Sequence, residues 1–235
     1  MSAPTQPSLA RRALAEGIAT FTLVFAGCGA VVTNAVRADS LGTVGIAFVF
    51  GLVIMALIYA TGHLSGAHIN PAVTTAFTLT RHFPPREALA YIAAQLTGAT
   101  AGALALYAVW TNRPANLGAT VPTVGAGAAV LYEALMTAFL MFVVMAVATD
   151  TRAVGAAAAI AVGGTIGLDA LFGGPITGAS MNPARSLGPA LVSETWADFW
   201  IYLVGPVVGA AVGALAYQLV RGESGAPVTP ESAGE

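Results

Sequence analysis

Six long stretches of apolar residues alternate with short polar stretches along the chain of 235 residues. Each stretch carries at most one charged residue over roughly 20 residues, the length that a helix needs to cross a bilayer core of about 30 Å. Together the stretches take up nearly the whole chain, which leaves no room for a separate soluble domain. The pattern predicts an all-α membrane protein with six transmembrane helices, over residues 17–36, 43–60, 88–110, 124–149, 153–172 and 197–220.

The second half of the chain repeats landmarks of the first half in the same order. The repeated landmarks are an intramembrane acid, an Asn-Pro-Ala triplet and a pair of glycines four residues apart, beginning at Glu16 and Glu133, Asn70 and Asn182, and Gly98 and Gly209. Each half holds three predicted spans, so the second half enters the membrane from the opposite side. The pattern therefore predicts inverted repeats related by a pseudo-twofold axis in the membrane plane.

The repeats divide the chain into four predicted segments. The first repeat covers residues 10–115 and the second covers 116–221. A short cytoplasmic tail at 1–9 precedes them. A cytoplasmic tail at 222–235 follows them, and its richness in Gly, Ser, Pro and Glu predicts disorder.

Each Asn-Pro-Ala triplet lies between the second and third spans of its half. Asn favours the N-cap of a helix and Pro favours the first helical position, so the triplets predict short helices near residues 70–80 and 182–191. A helix of about ten residues is about 15 Å long and crosses half of a bilayer core. The Gly-rich segments 63–69 and 174–181 are predicted to be extended, which is stable only inside protein or along a water-filled cavity.

The two short helices are predicted to point their N-termini at the middle of the membrane, where each contributes about half a positive charge. There the amides of Asn70 and Asn182 would donate hydrogen bonds to a passing oxygen. A water molecule held by two donors cannot accept a proton from its neighbour, and positive half-helix ends repel cations. The predicted carbonyl acceptors along this path belong to Gly66, Ala67, His68, Gly178, Ala179 and Ser180.

Two such triplets at equivalent positions of inverted repeats are a specific signature. On segments 65–73 and 178–186 the chain resembles the major intrinsic protein (aquaporin) family, and the resemblance covers about residues 10–220. Residues 116–122 and 174–179 resemble the nodulin-26-like branch and its bacterial relatives. The resemblance implies an hourglass fold of six spans and two re-entrant half-helices, a pore in each subunit, and a homotetramer in membrane lipid.

The family has a narrow constriction at four positions, which the resemblance transfers to Phe50, Ala170, Ala179 and Arg185. Strict water channels usually have His at the position of Ala170, where this chain has only a methyl group. The resemblance therefore implies a channel for water and small uncharged solutes such as glycerol or neutral metalloid hydroxides. A strict water channel stays open as an alternative, because glycerol channels usually have Asp at the position of Ser186.

Glu16 lies directly before the first predicted span and Glu133 lies inside the fourth, at equivalent positions of the two repeats, and both are interpreted as intramembrane acids. Intramembrane acids are functional candidates, and a proton relay is one interpretation. The favoured interpretation is that each accepts hydrogen bonds from backbone N–H groups of its own half's re-entrant loop, because irregular buried backbone needs such partners. Since no Cys or carboxylate lies at ligand spacing from His63, His68 or His82, no metal or cofactor is predicted.

The few charges of the chain limit the partners it can bind and predict its orientation in the membrane. A net charge of −2 argues against a nucleic-acid partner. All nine basic residues are Arg, and most fall in the segments that are cytoplasmic when the N-terminus is inside, as the positive-inside rule requires. Both termini are therefore expected in the cytoplasm. The absence of Lys and the abundance of Ala and Gly point to a bacterium with a GC-rich genome, and so to its inner membrane.

A channel is favoured over other functions that such a membrane protein could have. An enzyme is disfavoured because the chain shows no nucleophile–base pair, metal cluster or phosphate-binding loop. A secondary transporter can also be built from inverted repeats with broken helices, but it would need a coupling-ion site. The first apolar stretch follows Arg11 and Arg12 as in a signal peptide, yet Glu16 interrupts it and a retained span is expected. Asp169, beside Ala170, either attracts solutes or faces a subunit interface.

Overall fold

The computed structural model describes residues 7–150 and 157–221, and within these ranges the regular structure is helical. Its helices are α1 (Leu9–Leu23), a π-helical turn (Val24–Cys28), α2 (Gly29–Val36), α3 (Gly42–Ser65), α4 (Pro71–Leu79), α5 (Pro85–Val109), α6 (Ala126–Thr149), α7 (Ala158–Thr177), α8 (Pro183–Ser193) and α9 (Ile201–Arg221). A short turn at Pro114–Gly118 follows α5. The predicted tail at 222–235 and residues 1–6 of the predicted tail at 1–9 lie outside the described residues.

Among the described residues, six helices are long and apolar enough to cross a membrane, which confirms the predicted number of spans. They are Leu9–Val36, in which α1, the π-helical turn and α2 are continuous, and α3, α5, α6, α7 and α9. The first span begins at Leu9 rather than at residue 17, so Glu16 lies within the helix. Its side chain is fully buried, which explains why a charged residue does not end the span there.

The prediction of extended backbone over residues 63–69 and 174–181 is partly wrong. Residues 63–65 continue α3 and residues 174–177 continue α7, so the irregular backbone begins only at Gly66 and at Gly178. Both glycines take left-handed conformations, with φ of 88° and 87°, and each ends its helix there. Pro175 lies in the last turn of α7, where it has no N–H to donate to the carbonyl four residues earlier.

The spans approach each other closely where the sequence has glycine. A Cβ added at Gly98 in α5 would lie 2.1 Å from the carbonyl oxygen of Gly17, and one added at Gly209 in α9 would lie 2.1 Å from that of Ala134. Larger side chains at these sites would separate α1 from α5 and α6 from α9. Close approach of this kind lets membrane helices associate through van der Waals packing.

The two half-membrane helices, α4 and α8, begin at Pro71 and Pro183. The side-chain oxygen of Asn70 accepts a hydrogen bond from the Ala72 N–H at 2.8 Å, and that of Asn182 accepts one from the Ala184 N–H at 3.0 Å. Each asparagine is therefore the N-cap of its helix. α4 packs against α9 and α8 packs against α5, so each half-helix lies on a span of the opposite half.

Candidate functional site: the pore and its constriction

The two asparagines join the re-entrant loops at the centre of the molecule. Asn70 Nδ2 donates a hydrogen bond to the Met181 carbonyl oxygen at 2.7 Å, and Asn182 Nδ2 donates one to the Ile69 carbonyl oxygen at 2.9 Å. Since an amide nitrogen carries two hydrogens, each asparagine keeps one donor beyond this bond. Both asparagines line the same cavity.

The two loops have matching backbone conformations. Ala67 and Ile69 have φ of 48° and 56°, and their counterparts Ala179 and Met181 have φ of 41° and 52°. Left-handed conformations cost a non-glycine residue roughly 1–2 kcal/mol each. Both loops must therefore be held in place by the residues around them.

Glu16 and Glu133 hold these loops with matching hydrogen bonds. The Glu16 carboxylate accepts the N–H groups of His68 at 2.9 Å and Ile69 at 2.6 Å. The Glu133 carboxylate accepts the N–H groups of Ser180 at 2.9 Å and Met181 at 2.8 Å. The two acids thus satisfy N–H groups of irregular backbone that has no helical partners for them.

Side-chain hydroxyls and one amide complete these two clusters. Ser65 Oγ donates to Glu16 at 2.7 Å, and Thr177 Oγ1 donates to Glu133 at 2.7 Å. Gln95 Nε2 adds a further bond to Glu16 at 2.9 Å. Glu16 therefore accepts four hydrogen bonds and Glu133 accepts three.

Arg185 is buried beside an aromatic ring and a backbone carbonyl. Its Nη1 donates a hydrogen bond to the Gly118 carbonyl oxygen at 2.8 Å, and its Cζ lies 5.0 Å from the centroid of the Phe50 ring. Both contacts suit a guanidinium, which donates in a fixed plane and stacks on aromatic faces. Its Nε has no hydrogen-bond partner among the described residues. Arg185 is only 3% exposed, so bulk water at the protein surface does not provide an acceptor for this Nε–H.

Two cavities meet at the residues assigned to the constriction. The larger has a volume of about 470 Å³ and the smaller about 400 Å³. Phe50, Ala170 and Arg185 line both cavities, and Ala179 lines the larger one. The four residues that the resemblance selected are thus brought together, and three of them separate one cavity from the other.

The residues predicted to supply carbonyls divide between the two cavities. Gly66, Ala67, His68, Ala179 and Ser180 line the larger cavity. Gly178 lines the smaller one.

Other candidate residues lie outside the constriction. His63 lines the larger cavity on the exposed last turn of α3. Cys28 is fully buried behind the pore wall, and Asp169 is fully buried with no hydrogen-bond partner among the described residues. The described residues contain no group of three metal-ligating side chains.

A model of the family described as major intrinsic protein matches residues 4–217. The chain belongs to the major intrinsic protein family. It is 48% identical to aquaporin NIP1-1 of Zea mays over 211 residues, which cover 90% of this chain and 75% of the relative. It is 47% identical to nodulin-26 of Glycine max, over 90% of this chain and 78% of the relative. These matches confirm both the family and the nodulin-26-like resemblance.

The fold of this major intrinsic protein resembles a solved structure of the family. The X-ray structure of the aquaglyceroporin from Plasmodium falciparum superposes with a TM-score of 0.78 at 27% identity, covering 89% of this chain and 96% of that chain. Together with the six apolar spans, the likeness confirms the fold that the sequence predicted. The chain is a multi-pass membrane channel.

Several residues of this major intrinsic protein were missed by sequence reasoning. Tyr91 donates a hydrogen bond to the Ser65 carbonyl at 2.8 Å, and Tyr202 donates one to the Thr177 carbonyl at 2.6 Å. The two tyrosines have the same separation in sequence as Gly98 and Gly209, so a wider repeat comparison would have found them. The Gly118 carbonyl, by contrast, carries no local signal, because only the fold brings it to Arg185.

The two tyrosines yield a stability prediction. We expect Tyr91→Phe and Tyr202→Phe each to lower the free energy of unfolding by about 1 kcal/mol, because each leaves a buried helix-end carbonyl without its donor. Thermal unfolding in detergent measures the effect. Tyr132→Phe, at a partly exposed tyrosine of α6, is the matched control and should change little. Equal midpoints for all three variants would show that the two hydroxyls contribute nothing.

Proposed function

We propose that the protein is a passive channel for water and small uncharged solutes that excludes protons and ions. One observation carries the proposal: two cavities meet at a junction walled by an aromatic ring, a methyl group and a buried guanidinium, contributed by Phe50, Ala170 and Arg185. Pore diameter and lining polarity decide what passes such a junction. The spare donors of the two asparagines, and the Arg185 guanidinium that lines both cavities, would replace the hydrogen bonds that a solute loses on entering.

Exclusion of protons and cations is proposed to arise at the centre of the pore. The N-termini of α4 and α8 converge there, as the hydrogen bonds of Asn70 and Asn182 to the opposite loops require. Each terminus carries roughly half a positive charge, and Arg185 adds a full one. A water molecule that accepts from both asparagines can only donate to its neighbours, which interrupts a proton-conducting chain of water.

The solute range is proposed to extend beyond water to glycerol or neutral metalloid hydroxides. Ala170 and Ala179 contribute only methyl groups to the constriction, which leaves room for a solute larger than water. The solved relative is an aquaglyceroporin, which favours the same range. A strict water channel is the alternative, and Ser186 favours it. Ser186 lies beside Arg185, is fully buried, and is bonded to Ser180 at 2.6 Å and Thr120 at 2.7 Å.

The positions of the two buried glutamates disfavour a secondary transporter. Glu16 and Glu133 are bonded to the loops and do not line either cavity. The reciprocal bonds of Asn70 and Asn182 tie the two halves together at the point where a transporter must let them move apart.

The assembly and location of the channel are proposals as well. A homotetramer in membrane lipid follows from the family, and cytoplasmic termini follow from the arginine distribution. The division into repeats at 10–115 and 116–221 is also a proposal, and the matching hydrogen bonds around Glu16 and Glu133 support it. A bacterial inner membrane is proposed on composition alone, and the plant relatives do not support it.

The proposal is tested by light scattering from proteoliposomes after a sucrose jump and then a glycerol jump. We expect fast shrinkage in sucrose and fast reswelling in glycerol, with empty liposomes as the control. A pH-sensitive dye inside the vesicles should report no added proton leak. Fast shrinkage without glycerol entry would establish the strict water channel. Shrinkage no faster than in empty liposomes, with folded protein, would reject an open channel.

A further inference from the structure

The first span contains a turn that its counterpart in the second half lacks. Residues Val24–Cys28 form a π-helical turn between α1 and α2, whereas α6 is a continuous α-helix over Ala126–Thr149. π-helical turns insert an extra residue into a helix and are frequent at functional sites. The turn is therefore a point at which the two halves of the channel differ in structure.

Gly27, in this turn, lies directly against the aromatic ring of the constriction. A Cβ added at Gly27 would lie 2.3 Å from Phe50 Cε1 and 2.6 Å from Phe50 Cδ1, closer than real Cβ atoms approach a neighbour. The Phe50 ring therefore occupies the volume that any other residue at position 27 would need. Gly27 itself lines neither of the two cavities.

Cys28, the next residue of the turn, lies against the carbonyl partner of Arg185. A Cβ added at Gly118 would lie 2.7 Å from Cys28 Cβ, so the outer loop rests on this residue. The Gly118 carbonyl accepts the Arg185 hydrogen bond at 2.8 Å. Two consecutive residues of the π-helical turn thus contact the constriction. Gly27 lies against the aromatic ring, and Cys28 lies against the residue whose carbonyl binds Arg185.

We infer that the π-helical turn of the first span positions the constriction, and that Gly27 determines specificity by setting how far the Phe50 ring stands from Arg185. The ring is held between Gly27 on one side and the guanidinium 5.0 Å from its centroid. Any side chain at position 27 moves the ring off the first span and into the aperture. The inference rests on the proposed function, in which that aperture selects solutes.

The test is Gly27→Ala in proteoliposomes, read as the ratio of glycerol to water permeability. We expect the ratio to fall about tenfold, because a narrower aperture restricts glycerol more than water. Gly29→Ala is the matched control: it makes the same change two residues further along the span, where the added Cβ would be 3.4 Å from Leu106 Cδ2, an ordinary contact. The control should keep the wild-type ratio.

A double-mutant cycle assigns the effect to the ring. In a Phe50→Ala background the ring is absent, so adding Gly27→Ala should leave the ratio unchanged. A Gly27→Ala variant that fails to fold while the double variant folds would support the same contact. The inference is overturned if Gly27→Ala leaves or raises the ratio, if its effect persists in the Phe50→Ala background, or if neither variant folds.

Failure of the proposed solute range can be told apart from failure of this inference. If wild type admits water but no glycerol, the solute range is wrong and the water permeability alone becomes the readout. Gly27→Ala should then lower water permeability relative to wild type, and only while Phe50 is present. An unchanged water permeability in that case would reject the positioning role of Gly27 as well.

Discussion

Glu16→Gln is expected to abolish water flux and to lower the free energy of unfolding by about 2 to 4 kcal/mol, because a hydrogen bond to a charged group contributes about 1.5 to 3 kcal/mol and a buried donor without an acceptor costs about 1 to 3 kcal/mol. The Glu16 carboxylate accepts four hydrogen bonds, including the N–H groups of His68 and Ile69. A glutamine side chain replaces one carboxylate oxygen by an NH₂ group, so two of the four donors lose their acceptor and face a donor instead. The left-handed loop backbone then loses part of its support, although the bond from Asn182 to the Ile69 carbonyl remains.

Thermal unfolding in detergent and stopped-flow shrinkage of proteoliposomes measure the two effects. Glu194→Gln is the matched control, because its side chain is 73% exposed and forms an ion pair with Arg113 at 3.1 Å at the surface. We expect the control to cost under about 1 kcal/mol and to conduct normally. A Glu16→Gln protein that keeps its stability and water flux, and changes only its proton leak, would support the proton relay and reject the role in loop support.

Ala170→His is expected to reduce glycerol permeability about a hundredfold while water permeability stays within about threefold, since pore diameter and polarity set selectivity. Ala170 lines both cavities where they meet Phe50 and Arg185. An imidazole there fills the space that the methyl group leaves open and adds a polar contact for water. The variant should therefore behave as a strict water channel.

Two further substitutions at the same position separate size from polarity. Ala170→Ser adds a hydroxyl with little bulk and should leave glycerol permeability near wild type. Ala170→Val adds bulk without polarity and should lower it. Glycerol permeability that is the same in all four proteins would show that the narrowest part of the pore lies away from Ala170.

The sequence predicted the spans and half-helices because their signals are local. Apolar length marks a span, and an Asn-Pro pair marks a helix start, as at Asn70 and Asn182. The ends of α3 and α7 were missed for a local reason too. Glycine and proline normally weaken helices, yet residues 63–65 and 174–177 stay helical until a glycine in the left-handed conformation ends them.

Much of the site could not be predicted, because it depends on contacts between distant parts of the chain. The bond between Arg185 and the Gly118 carbonyl joins α8 to the turn that follows α5, and these two segments share no motif. The π-helical turn at Val24–Cys28 is invisible in the sequence, since its residues are as apolar as the rest of the span. The proximity of Gly27 to Phe50 becomes visible only once that turn has rotated the helix.

The reciprocal asparagine bonds also bear on how the protein is made. Asn70 bonds to a carbonyl 111 residues later, and Asn182 bonds to one 113 residues earlier. A nascent chain that has delivered only its first half to the membrane therefore holds an unfinished loop, and unpaired polar groups in lipid cost several kcal/mol. The joining of the two loops is consequently a late event of biosynthesis. A chain truncated before residue 182 leaves no finished pore in the membrane and so cannot leak.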